Sequence, residues 1–295
     1  MRWSTDKNIK GAALSLREDR ALYAELLQDG RGLALVNGRE MALPPGLVHG
    51  DHLIDGRSLG SCLCRQLRFC WGKLPLALGV PSSDFLFKTV KLPVGDLSEA
   101  KSALRWCFSD FFPLAYDEAL FDVSELPGRT EGQMLLLGTA CQKGELTALL
   151  ESLKSLRCRV SVAEPLCVAC ARAFALKDEE APVLMVVGQD ALLHLVFLKR
   201  NAAWMFRTLN CSLKSAEELN AEVIDTLSYI RRRFAPPSLR LCKAGKLPDG
   251  AENLPVLADA VQRPLQWAQK IRWNSPREAE WFDVMGLLMR WGREN

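Results

Sequence analysis

Apolar residues along this chain fall first into strand-length runs and only later into helical stripes. Ile9–Leu16, 21–27 and 32–36 read as a meander of three or four antiparallel strands. A charged turn is expected at Arg17-Glu18-Asp19-Arg20 and a second turn at Asn37-Gly38, with the chain returning through Pro44. Residues 59–69 space Leu59, Cys62, Leu63, Leu67 and Cys70 as a helix does, and Leu76–Val80 is a buried-strand run. Phe85–Leu92 alternates as a strand up to Pro93. A helix follows, starting at Ser98 and carrying Leu97, Leu104, Cys107, Phe108 and Phe111 on one stripe until Pro113. Strands are predicted at 118–123, 134–139 and 158–163, and helices at 145–156 and 166–176, the latter opening at Glu164-Pro165.

From residue 183 the opening theme returns. Strands at 183–187, 192–198 and 204–209 are separated by turns at Gly188-Gln189-Asp190 and 199–201. Ala216–Phe234 is a helix with Leu219, Val223, Leu227 and Ile230 on its apolar face, ended by Pro236-Pro237; a short strand at 239–242 and helices at 254–261 and 281–291 complete the chain. Two halves, each a meander followed by alternating helices and strands, argue for a duplicated α/β architecture.

Composition narrows the function classes. With 48% hydrophobic and 25% charged residues in 295, the chain is expected to fold as one large or two modest domains. A net charge of +3 is too small for a dedicated nucleic-acid protein, and Arg231, Arg232 and Arg233 suit a solvated helix end. No run of about 18 apolar residues spans a membrane. The polar start Met1-Arg2-Trp3-Ser4-Thr5-Asp6-Lys7 lacks a signal-peptide core, so a cytoplasmic location is expected. Ten cysteines in a chain this long read as reduced, mostly buried thiols; Cys62-x-Cys64 and Cys167-x-x-Cys170 lie in helix-like apolar runs and are expected to pack rather than bind zinc.

No Walker A loop, G-x-G-x-x-G or H-E-x-x-H occurs. His194 sits in an apolar strand run and is expected to pack; His49 and His52 flank Gly50-Asp51 in a loop as a solvated pair. No catalytic residue and no metal site is assigned.

The order of elements and several local strings resemble the PilM-type actin-like proteins of type IV pilus assembly. Ser98-Glu99-Ala100, Ala103-Leu104-Arg105-Trp106, Phe112-Pro113-Leu114 and 117–122 are similar to that family's inserted subdomain, and 149–153 with 160–165 continue the likeness. Residues 45–50 and 282–290 are similar to its corresponding loop and last helix. The resemblance implies an actin/Hsp70-like fold of two ribonuclease-H-like halves. It places a first half at 1–84 and 158–180, a small α/β insertion at 85–157, and a second half at 181–295 whose closing subdomain is largely missing. It further implies a protein at the inner face of the inner membrane that captures the N-terminal tail of a PilN-like membrane protein in a groove beside the insertion.

At the nucleotide site that the resemblance implies, this sequence departs from the pattern. Actin-like folds cradle phosphates on two slim hairpin turns, with an acidic residue for the metal. The first turn's acid and glycine fall on Ala13 and Ser15, followed by bulky charged residues; the second turn's acid falls on Val186, though Gly188 survives. The adenosine turn, 241–246, keeps one glycine, Gly245, and Glu164 matches an acid near the metal. The expectation is a degenerate site, no enzyme and no cofactor, with Gly188, Glu164, Asp190 and Gly245 as remnant positions. The alternative is an ATP-binding switch that uses Glu164 and Asp190 around magnesium. Arg105, Trp106 and Phe112, in an aromatic and basic set with Phe108 and Phe111, are candidates for partner contact or for the insertion's core. Trp204, Trp267, Trp273, Trp281 and Trp291 are candidates for exposed patches.

Overall fold

The computed structural model describes residues 9–29, 31–67, 74–128, 132–155, 159–174, 181–200, 202–265, 271–272 and 280–291. Strands β1 (Ile9–Leu16), β2 (Arg20–Asp29) and β3 (Gly32–Ala42) form the opening meander, followed by a small hairpin, β4 (Val48–His49) and β5 (His52–Leu53). Then come α1 (Gly56–Gln66), β6 (Leu76–Val80), β7 (Phe85–Leu92), α2 (Leu97–Trp106), α3 (Phe108–Phe111), β8 (Ala119–Glu125), β9 (Met134–Gln142), α4 (Gly144–Ser155), β10 (Val160–Pro165) and α5 (Leu166–Phe174). The second half runs β11 (Val183–Gln189), β12 (Leu192–Lys199), β13 (Ala202–Asn210), α6 (Ala216–Phe234), β14 (Arg240–Gly245), β15 (Val261–Gln262), β16 (Ile271–Arg272) and α7 (Phe282–Leu288).

Duplication is explicit in the sheets. One has the order β10-β6-β1-β2-β3-β16 and the other β13-β12-β11-β14-β15. In each, an antiparallel meander gains parallel strands beside its first strand: β6 pairs with β1 and β10 with β6, as β14 pairs with β11 and β15 with β14. Parallel strands carry apolar residues on both faces, which explains the unbroken buried runs of β6 and β11. Between β13 and β14 the chain makes one short 3-10 turn and the single helix α6, held at its start by a capping box of Ser215 and Glu218.

Two compact units result, Met1–Pro81 with Glu145–Phe174 and Leu265–Asn295, and Ser82–Gly144 with Ala175–Pro264. The boundaries read from sequence therefore shift. Helix α4, expected in the insertion at 85–157, packs on α1 of the first unit, where a side chain at Gly56 would sit 2.0 Å from the Glu145 carbonyl and one at Gly60 2.5 Å from Ser152. The last helix, assigned above to 181–295, also belongs to the first unit. Val284, Met285, Leu287 and Leu288 join the core of β1 and β2, and Gly286 lets α7 cross α5 where any Cβ would come within 1.9 Å of the Ala169 carbonyl.

Other local expectations change for identifiable reasons. Asn37-Gly38 is no hairpin turn: β3 runs straight through it, with Asn37 at φ 55 and a register shift opposite Tyr23 to Glu25, so the residue pair builds a bulge. Gly50-Asp51, both at positive φ, make the true tight turn, between β4 and β5. Asp96, whose carboxylate accepts from the Ser98 and Glu99 amides, caps α2 in place of Ser98, and the expected single stripe breaks at Cys107. Residues 254–261 form a 3-10 turn, Pro255–Leu257, and the start of β15 rather than a helix.

Candidate functional site

In the first unit the C-terminal ends of β1, β6 and β10 share one edge, with Ser15 and Glu164 both in register with Gly79. Ligands of open α/β sheets usually bind at such an edge. Here it is filled by charged side chains bonded to one another. Arg17, from the β1–β2 turn, folds inward and grips Asp283 of α7, with Nη2 2.9 Å from Oδ1 and Nε 3.1 Å from Oδ2, and Ser15 Oγ donates to the same carboxylate. Both partners are buried, Asp283 completely. Burial is the largest influence on Asp283 and pushes its pKa up, but the Arg17 charge and hydrogen bonds outweigh it and hold the carboxyl below its usual range.

Glu164, at the end of β10, is treated the same way. Arg172 of α5 approaches it as a fork at 2.6 and 2.8 Å, and Arg290 binds it through Nε at 3.0 Å and through Nη2. Desolvation raises this carboxyl most strongly, yet Arg172 and then Arg290 bring it below the ordinary value. The acid expected near a metal is thus neutralised by two guanidinium groups, one of which also donates to the Gly286 carbonyl at 2.8 Å. Residues 126 and 268 positions apart carry no local signal of such pairings, so the sequence could not show them.

The second unit carries the other turn. Val186 is fully buried in β11, and Asp190 turns the chain into β12 at φ 51. A side chain on Gly188 would meet the Lys246 carbonyl at 2.2 Å and the Leu247 Cα at 2.5 Å. Gly245, opposite Gly188 in the parallel ladder, takes φ 67 and steers the backbone into this crossing. Both surviving glycines therefore serve the packing of the backbone, because the segment after β14 lies directly on the Gly188 side of β11. Beside it, buried His194 bridges Gln189 Oε1 at 2.9 Å and Thr208 Oγ1 at 3.0 Å, so this histidine is packed and hydrogen-bonded.

The insertion separates its three candidates. Trp106, at the end of α2, is 89% exposed, and exposed Arg105 lies over the Tyr116 ring at 5.2 Å. Phe112 is not a surface residue. It stacks on Phe108 at 5.0 Å in the core between α2, α3 and the β7-β9-β8 sheet. Of the tryptophans expected in patches, Trp204 and Trp281 are buried and Trp291 packs where Gly11 leaves room; Trp267 and Trp273 lie outside the described residues. His49 pairs with Glu18 at 2.8 Å on the surface. Among the described residues no group of three metal-ligating side chains converges, and no helix is long and apolar enough to cross a membrane.

No family model and no curated protein matches the chain. Solved structures do. A PilM–PilN type IV pilus biogenesis complex aligns over 97% of this chain and 100% of the matched one, with a TM-score of 0.77 at 16% identity. The chain has an actin-like fold, similar over its full length to that of PilM. Two further actin-like relatives extend the comparison. One is a Bacteroides thetaiotaomicron protein with an actin-like ATPase fold and unknown function, with TM-score 0.58, 12% identity and 98% of each chain. The other is the cytoplasmic domain of EpsL, an inner-membrane component of the type II secretion system of Vibrio cholerae, with TM-score 0.53, 14% identity, 95% of this chain and 93% of that one. The actin-like fold was thus legible in the strings at 98–122 and in the doubled meander.

Proposed function

We propose that this chain is a cytoplasmic scaffold at the inner face of the inner membrane, part of a type IV pilus or related secretion platform, that binds the N-terminal tail of a PilN-like membrane protein and turns over no ATP. Full-length likeness to the PilM–PilN structure supports the partner. The observation that carries the non-catalytic half is the occupation of the phosphate-turn positions by the chain's own groups. Arg17 is committed to Asp283, Glu164 to Arg172 and Arg290, and Gly188 to the backbone at Lys246 and Leu247.

Such residues do not fit a magnesium triphosphate. A metal at Glu164 would have to displace the two guanidinium groups that grip this buried carboxylate, and removing one partner of a buried pair costs about 3–5 kcal/mol. The tail would contact the exposed end of α2 at Arg105 and Trp106, with Trp106 as the apolar anchor. Calorimetric titration with ATP and magnesium should register no micromolar binding, while a peptide of a PilN-like tail should bind and lose about tenfold in affinity in Trp106→Ala. Micromolar ATP binding would instead favour the switch built on Glu164 and Asp190, and a tail peptide that ignores the chain would remove the scaffold reading.

A further inference from the structure

Within the second unit lies a cavity of about 510 Å³ that the nucleotide and tail readings leave unused. One wall is the insertion, contributing Lys91 of β7, Phe111 of α3 and Met134 of β9; the other is the second half, contributing Arg200 and Trp204 of the β12–β13 hairpin and Arg233 at the end of α6. The walls are tied together. Thr89 Oγ1 donates to the Trp204 carbonyl at 2.9 Å, and the Phe87 and Phe206 rings approach to 4.7 Å, so the groove is formed in advance of any ligand.

Its charge is one-sided. Lys91, Lys199, Arg200 and Arg233 line it, and no carboxylate does so among the described residues. Lys199 is occupied over the Trp204 ring at 5.1 Å. Lys91, Arg200 and Arg233 are exposed and have no carboxylate partner among the described residues. Cations around an apolar floor, in a chain of net charge only +3, form a local positive field rather than a general basic surface.

We propose that this groove binds an acidic peptide segment of a protein partner, an aliphatic or aromatic side chain seated on Phe111 and Met134 and carboxylates paired with Arg200, Arg233 and Lys91. Three cations carried on three separate elements match several carboxylates along an extended chain better than a single phosphate, and guanidinium forks suit carboxylates geometrically. A membrane surface fits less well, because the apolar residues line a concavity instead of projecting from a face. This goes beyond the membrane-tail reading and does not depend on it, since the α2 end and the groove are probed by different substitutions.

The test is selection of a random dodecapeptide display library on the full chain, followed by fluorescence anisotropy of the enriched peptides. Expected are peptides rich in Asp and Glu beside Leu, Phe or Trp, weakened by added salt. Their affinity should fall about tenfold or more in the Arg200→Glu, Arg233→Glu double variant and by less in Arg233→Gln, with the thermal midpoint unchanged because both side chains are exposed. In parallel, phosphatidylglycerol vesicles should not co-sediment the chain. Enriched peptides without acidic excess, equal binding to the double variant, or vesicle binding that the double variant abolishes would each overturn the proposal.

Discussion

Asp283→Asn should unfold roughly 10 °C below the parent chain, a loss of about 3–5 kcal/mol at 2–4 °C per kcal/mol for a protein of this size. The reason lies in Arg17. It is buried, and its guanidinium has Asp283 as its carboxylate partner. An amide keeps the shape but withdraws the counter-charge, leaving a desolvated cation. A double replacement, Arg17→Met with Asp283→Leu, should recover part of the loss, because two apolar side chains no longer need solvating. The pH profile supplies a second reading. The folded-state pKa of Asp283 lies below the unfolded one, so its stabilisation is complete above the ordinary aspartate range near pH 4 and disappears as pH falls through the folded value. Asp283→Asn should flatten that acid limb in urea melts run between about pH 2 and pH 5. An unchanged thermal midpoint would mean that the pair is not desolvated, and would reopen the first turn to a ligand.

Gly188→Ala is the second large expected effect, costing about 1–3 kcal/mol by overpacking against backbone that cannot rotate aside. The new methyl would stand 2.2 Å from the Lys246 carbonyl, at the end of the parallel ladder between β11 and β14. The same change at Gly144, where a Cβ meets nothing within 4 Å, should change the unfolding free energy read from urea melts by no more than about 0.5 kcal/mol. The contrast separates two reasons for a glycine in this turn. One kept for phosphate approach would tolerate a methyl in the unliganded chain and lose only nucleotide affinity; one kept for the crossing at Lys246 loses stability without any ligand. A neutral Gly188→Ala would therefore contradict the account of the second turn.

What was legible in the sequence follows the range of the forces involved. Helix α6 was readable to the residue because its apolar spacing and Pro236-Pro237 act within a turn or two of the backbone. The strands of both meanders were readable for the same reason. Asn37-Gly38 misled because the left-handed conformation that suits a tight turn also suits a bulge, and only the partner strand decides between them. Phe112 was ambiguous because a ring beside a proline is equally consistent with a core and a groove; the stack on Phe108 settles it. The filling of the carboxyl edge was out of reach. Arg17 and Asp283 look like ordinary turn and helix charges until α7 is brought onto β1, and nothing in their own neighbourhoods specifies that contact.

Helix α7 has one more consequence, for the chain as it leaves the ribosome. The apolar side of β1, β2 and β6 is synthesised first, yet Val284, Met285 and Leu288, which cover it, follow only after the whole of the other unit. The stretches that form the other unit are complete by residue 264. Sticky surface on the early strands must then be shielded while the whole of the other unit is made, and the unit whose strands come first is completed after its neighbour.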